Sequence, residues 1–271
     1  MNDAKVRAAM EGLQDLVNGF AEDCQAELRS LWNALPVSIP ERELFEVVGG
    51  LLSRQMLLLR QLSFSTAFWN YDAGSLVLRS MVDTHIIIAY ICNDRSLDRA
   101  RAFINHGLGQ ERLYVSKIKA RASAMGDTEL MARMEEYEKE LDGEKYGHLT
   151  DVEYGSWTGK DNRRLAQELG LEEYYDGTFP TLSAGTHGGW NHLLKFNAVP
   201  SDNPLHAGLK RPVLEPSTPD INVLFLAGGQ MEMSFRLVRE RFGIVEPETS
   251  PTERLQQKLD ELMTKPDEEA C

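Results

Sequence analysis

Asp72-Ala73-Gly74-Ser75-Leu76-Val77-Leu78-Arg79-Ser80-Met81-Val82-Asp83-Thr84-His85-Ile86-Ile87-Ile88-Ala89-Tyr90-Ile91-Cys92-Asn93 is the stretch that decides the fold class. Its apolar residues leave almost no polar side, and a helix apolar nearly all round belongs in the middle of a bundle. Asp72 stands where an N-cap would. The longest unbroken apolar run, Ile86 to Cys92, is too short to cross a bilayer.

The neighbouring segments read as helices that would surround this one. Upstream, Val6, Leu13, Leu16, Val17, Phe20, Leu28, Leu31, Trp32 and Leu35 recur at helical spacing until Pro36, with Gly12 and Gly19 as weak points. Ser38-Ile39-Pro40-Glu41 forms a capping box, which predicts a long helix to about Asn70. Downstream, a helix over 97–125 and a shorter one over 129–141, capped by Asp127, make an outer hairpin. Its stretch Glu135-Glu136-Tyr137-Glu138-Lys139-Glu140 reads as a solvated acidic face. Residues 143–158 form a connection. A helix over 160–169 follows, with Thr158 as N-cap and Gly170 as stop. Another spans 181–196, interrupted by Gly185, Gly188 and Gly189.

Residues 198–219 hold Pro200, Pro204, Pro212, Pro216 and Pro219 and no helical period, with a short hairpin around Leu205 to Leu214 as the strand signal. Thr218-Pro219 opens a helix through Phe242, closed by Gly243. Ser250-Pro251-Thr252-Glu253 is a second capping box, and the tail after Lys265 is polar. The expectation is an all-α chain: a single multi-helix bundle over 1–245 with a long Pro-rich loop, then a C-terminal helix and acidic tail over 246–271.

Composition narrows the function classes. Cys24, Cys92 and Cys271 are odd in number and lack a C-x-x-C spacing, so neither a disulfide framework nor a thiolate metal site is expected. This favours a reducing, cytoplasmic setting. Met1-Asn2-Asp3-Ala4-Lys5 opens an amphipathic pattern rather than a leader. A net charge of −13 argues against a general grip on nucleic acid, which needs many cations. Yet residues 246–271 hold eight acids and three bases, and 121–150 hold eight acids and four bases, so these stretches carry most of the excess. A local anion pocket stays open.

Two groups of residues carry the chemistry. On the apolar helix, Asp72, Ser75, Arg79, Asp83 and Tyr90 fall on one stripe at about 100° per residue. Arg79 and Asp83 are one turn apart and able to pair, but a guanidinium has five donors and one carboxylate does not exhaust them. This pattern is either a structural buried ion pair or an anion site. The second group is Ser183-Ala184-Gly185-Thr186-His187-Gly188-Gly189. Ser183 and His187 share a helix face, and the glycines allow close approach. No nucleophile elbow surrounds Ser183, so this is not a Ser-His-Asp hydrolase signature. His187 is either a proton carrier or a hydrogen-bonded core histidine.

Leu78-Arg79-Ser80-Met81-Val82-Asp83, Trp157-Thr158-Gly159-Lys160 leading into Arg164-Leu165-Ala166-Gln167-Glu168-Leu169-Gly170, then Tyr175 and Ser183-x-x-x-His187-Gly188, resemble a bacterial domain family of unknown function. In it an L-R-S-L-x-E helix precedes an S-x-x-x-H-G helix, and the similarity covers roughly residues 50–195. Asp83 stands where that family has glutamate, which shortens the reach of the carboxylate. The resemblance implies an all-helical fold in which Arg79, Asp83, Ser183 and His187 converge, and it supplies no reaction. A remoter resemblance is to HEPN domains, helical ribonucleases and nucleotide-binding modules of toxin and phage-defence systems, whose motif is an Arg followed by a His. The formal matches, Arg79 with His85 and Arg101 with His106, are about what 19 arginines and 6 histidines produce by chance.

No H-E-x-x-H, Walker loop or G-x-G-x-x-G occurs. No metal or cofactor is therefore expected. Gly49-Gly50 and Gly228-Gly229 read as close helix contacts, and Met125, Met131, Met134, Met231 and Met233 as core fillers. The expected site has His187, Arg79, Asp83 and Ser183 as its chemical groups and Ser75, Trp157, Lys160 and Tyr175 as ligand contacts. Its ligand would be an anion, RNA or a nucleotide for instance. If the protein is an enzyme, the reaction is a metal-independent phosphodiester cleavage by a cytoplasmic homodimer without a membrane partner. The alternative is a non-catalytic homodimeric or partner-binding module in which the same polar cluster is structural.

Overall fold

The computed structural model describes residues 3–143, 157–214 and 217–264. The expected connection over 143–158 falls largely outside the described residues, as do Pro216, Cys271 and the tail after Lys265. The described chain is all-α with one small sheet. Its helices are α1 (Asp3–Ala34), α2 (Arg42–Ser63), α3 (Gly74–Cys92), α4 (Asp98–Met125), α5 (Thr128–Gly143), α6 (Asn162–Glu168), α7 (Glu172–His187) and the short α8 (Trp190–His192), followed by α9 (Asn222–Phe242) and α10 (Pro251–Thr264). Between α8 and α9, β1 (Ala198–Pro200) pairs antiparallel with β2 (Lys210–Pro212).

Helix α3 is central, packed against α2, α7 and α9. Leu78, Met81, Val82, Ile86, Ile88 and Ile91 are buried in the common core with Phe20, Leu44, Leu52, Leu59, Trp69, Val223, Met231 and Phe235. By length and composition α3 could cross a membrane, but 61% of that apolar window is buried inside the bundle. Helices α4 and α5 form the outer hairpin, and α10 lies along α1. The first glycine of each pair is a close contact: a methyl at Gly49 would meet the Trp32 ring at 2.7 Å and one at Gly228 would meet Phe20 at 2.7 Å.

The Ser38–Glu41 signal acts differently from a capping box: Ser38 Oγ donates to the Glu41 carboxylate at 3.0 Å, and neither side chain caps a backbone amide. Other local signals act as expected. Asp127 accepts from the Leu130 amide, and Ser250 and Glu253 bond each other's amides at the start of α10. Gly170, Gly188 and Gly243 take left-handed backbone at helix ends, where a side chain would be strained.

Other boundaries move because a tertiary partner claims the signal. Helix α2 ends at Ser63, not near Asn70. Trp69 folds back into the core and donates its indole N–H to the Leu62 carbonyl at 2.9 Å, while its own carbonyl accepts from Asp220. Asp72 does not cap α3, since its carboxylate is drawn away to His192 and Asn197. Asp161 rather than Thr158 caps α6, accepting from Arg164 at 2.8 Å. Helix α7 begins at Glu172, nine residues before the expected 181, and carries Pro180 in its interior. It stops at Gly188, and residues 190–197 continue as α8 and a π-helical turn. Helix α9 begins at Asn222, with Asp220 accepting its amide, rather than at Thr218-Pro219. The hairpin joins 198–200 to 210–212, so its second strand lies inside the expected stretch and its first lies upstream of it, and Met125 is exposed rather than core.

Candidate functional site

The polar stripe of α3 faces α6 and α7. Arg79 and Asp83 form the i,i+4 ion pair that their spacing predicts, with Arg79 14% exposed and Asp83 32%. Asn162, in the first turn of α6, donates to the other oxygen of Asp83 at 2.5 Å. The Arg79 guanidinium lies flat on Phe179, 3.5 Å from the ring centroid, and Phe179 stacks on Tyr175 at 4.2 Å. Three elements are thereby joined through one chain of contacts: Asn162, Asp83, Arg79, Phe179 and Tyr175. Burial pushes the Tyr175 phenol above its usual range, with Arg79 acting the other way.

Tyr175, Phe179, Ser183 and His187 are successive i,i+4 positions of α7 and therefore form one ladder. With Arg163, Asp176, Pro180 and Ala184 they line a groove of about 640 Å3. Its rim carries an exposed ion pair, Arg163 to Asp176 at 3.3 Å. Among the described residues neither Ser183 nor His187 has a side-chain hydrogen bond, so a hydroxyl and an imidazole stand free one turn apart. His187 is exposed at the end of α7, where Gly188 turns the chain away.

The structure thus brings three of the expected residues, Tyr175, Ser183 and His187, to one groove. Arg79 and Asp83 lie outside its lining and touch it through Phe179. Ser75 is buried under Gly185, where α3 and α7 approach most closely, and donates to the Asp72 carbonyl. Trp157 packs edge-on against Tyr90 and Phe103, and Lys160 bonds Glu168 at 2.7 Å. His85, formally paired with Arg79 by spacing, points instead to α9. His85 Nδ1 and Ser234 Oγ are hydrogen-bonded at 2.9 Å, and Ser234 Oγ also lies 3.2 Å from the Gln230 carbonyl. Burial holds this imidazole down to about 4. Among the described residues no three His, Cys, Asp or Glu side chains gather as a metal would require.

Phe179, Arg163 and Asp176 are groove residues missing from the sequence reading. The signal for Phe179 was present as the i,i+4 ladder from Tyr175 to His187, but Pro180 reads as a helix breaker and hides its first half; Arg163 and Asp176 lie off that ladder. Asn162 has no motif at all, because its partner is 79 residues away. The pair His192 Nε2 to Asp72, at 2.9 Å, ties α8 to the entry of α3 in the same non-local way.

A family model described as a family of unknown function (DUF5677) matches residues 45–204, a span that takes in α3, α6, α7 and the whole groove. Neither a curated protein nor a solved structure matches the chain.

Proposed function

The chain belongs to the DUF5677 family, a family of unknown function, and because membership brings no reaction with it, we propose from the site itself that the α7 groove takes a phosphate-bearing ligand, RNA or a nucleotide, and cleaves a phosphodiester bond without a metal. One observation carries this reading: a free hydroxyl and a free imidazole share one wall of an open groove whose rim holds a guanidinium. His187 would take the proton of the ribose 2′-hydroxyl as that oxygen attacks phosphorus and would return it to the departing 5′-oxygen, since imidazole serves both as base and as acid. Ser183 would position the scissile phosphate by donating to one of its oxygens. Arg163 would leave Asp176 to meet the charge that develops on phosphorus. Arg79 is a positioning residue here, holding the Tyr175–Phe179 wall from behind. This chemistry accords with the remote resemblance to HEPN ribonucleases.

The test is degradation of a labelled single-stranded RNA in excess chelator by wild-type and His187→Ala protein. The expected result is cleavage by the wild type and its loss in the variant, with both melting alike, since His187 is exposed and unbonded. Equal degradation by the two proteins refutes the reading.

A second reading has its own support. The Arg79 guanidinium is committed to Asp83 on one side and to Phe179 on the other. An ion pair stacked on an aromatic ring suits a structural lock in a non-catalytic module, with the buried Arg79 Nε left without a hydrogen-bond partner.

A further inference from the structure

At the far end of α3 from the Asp72–His192 contact, a second cleft of about 320 Å3 opens between three segments. Ala89, Cys92 and Asn93 come from the last turn of α3, Leu169 and Leu171 from the α6–α7 turn, and Leu237, Glu240 and Arg241 from the end of α9. None of these residues belongs to the α7 groove. Three features together are unusual for a passive surface fold. First, Arg241 has no carboxylate partner within ion-pair distance among the described residues, and its Nε is buried without a hydrogen-bond partner. A buried donor left unmade is costly unless something fills it. Second, the adjacent and exposed Glu240 makes no ion pair or hydrogen bond among the described residues, so a cation and an anion stand side by side unspent. Third, Ala89, Leu169, Leu171 and Leu237 supply an apolar wall, with the last three only partly buried.

The end of α3 adds a direction. The Ala89, Tyr90 and Ile91 carbonyls at the end of α3 already accept from the Asn93 and Asp94 amides and from Arg99, so the helix contributes its partial negative charge, and with Glu240 beside it this side of the cleft favours a cationic group. Arg241 supplies the opposite preference for a carboxylate through its planar fork. A ligand that satisfies all three surfaces has an ammonium, a carboxylate and a compact aliphatic body. We propose that this cleft binds a free aliphatic amino acid, with its carboxylate on Arg241, its ammonium between Glu240 and the carbonyl end of α3, and its side chain against Leu169, Leu171 and Leu237. The volume is in the range of small-ligand sites. The inference is independent of the α7 groove and stands or falls without it.

Calorimetric titration of the full chain with L-leucine at neutral pH is the direct test. One molecule bound per chain is expected. Removing either charge of the probe should weaken binding at least tenfold: 4-methylpentanoate lacks the ammonium, and 3-methylbutylamine lacks the carboxylate. Arg241→Gln should weaken L-leucine at least tenfold and bring it level with 3-methylbutylamine, whereas Ser183→Ala, in the other groove, should leave it unchanged. No heat of binding with L-leucine overturns the proposal, as does equal binding of all three probes. The probe series needs only wild-type protein, so it decides the matter even where Arg241→Gln fails to fold.

Discussion

Replacing Gly185 by alanine tests whether the closest approach of α3 and α7 holds the site together. A methyl group there would overlap Ser75 Oγ outright and would lie 2.9 Å from Ser75 Cβ and 3.0 Å from His192 Cε1. Ser75 is 2% exposed and has nowhere to retreat. Its hydroxyl could rotate, but only by giving up its bond to the Asp72 carbonyl, at a cost of about 1 kcal/mol. Forcing a methyl into a filled contact costs about 1–3 kcal/mol. Helix propensity opposes this, since alanine is favoured over an interior glycine by about 1 kcal/mol. The balance is a net loss of about 2 kcal/mol, a fall in Tm of about 4–8 °C for a chain of this size. Thermal unfolding followed by far-ultraviolet circular dichroism reads it directly. The cause is isolated by a double-mutant cycle with Ser75→Gly, which removes both the Oγ and the Cβ that the methyl meets. The double variant should recover about 1 kcal/mol or more relative to the sum of the single changes. A Gly185→Ala protein that melts at or above wild type, or a cycle without coupling, refutes this account of the contact.

Three further outcomes follow from the core. His85 is native as the neutral imidazole, held down to about 4 against an ordinary 6.5. The unfolded chain therefore gains a proton first as pH falls, and stability drops from about pH 6.5 and levels off near 4, by up to about 3 kcal/mol. In His85→Gln this part of the urea-midpoint pH profile should flatten. If the profile keeps its slope, His85 is not its source. Asp83→Ala strands the Arg79 guanidinium and frees Asn162, and should lower urea stability by about 2 kcal/mol, less than a fully buried pair because Asp83 is 32% exposed. An unchanged midpoint would count against the lock. The neighbours Gly228 and Gly229 should respond with opposite signs: alanine at 228 meets Phe20 at 2.7 Å and Thr252 at 2.9 Å, whereas alanine at 229 meets nothing. Gly229→Ala should then gain up to about 1 kcal/mol from propensity while Gly228→Ala loses stability, and melting temperatures that move together would contradict it.

The two chemical groups singled out in the sequence fared differently for a reason visible in the contacts. Ser183 and His187 lie on one helix, so their i,i+4 spacing alone puts them on one face, and the groove follows that face. Arg79 and Asp83 also pair as their spacing requires. Whether they meet Ser183 and His187 depends on Phe179, whose ring lies between the guanidinium and the groove. No spacing rule reports which side of a ring another helix presents.

What the sequence by itself determined is what hydrogen bonds and burial within a few residues decide. The apolar girth of Leu78 to Ile91 placed α3 at the centre, because so apolar a surface is driven out of water, while Leu76 stays exposed. Asp127, and Ser250 with Glu253, capped their helices, and Gly170, Gly188 and Gly243 ended theirs, because each satisfies backbone groups one turn away. The tertiary structure decided everything with a distant partner. Asp72 had a backbone amide and His192 to choose between, and the imidazole, 120 residues away, took it. Trp69 left its helix for the core because burying an indole outweighs one more turn. Pro180 sits inside α7 because packing against α3 compensates the hydrogen bond that proline removes. Local preferences are worth about 1 kcal/mol each, and burial against another element is worth more, so the nearby signal held only where no distant partner competed for the same residue.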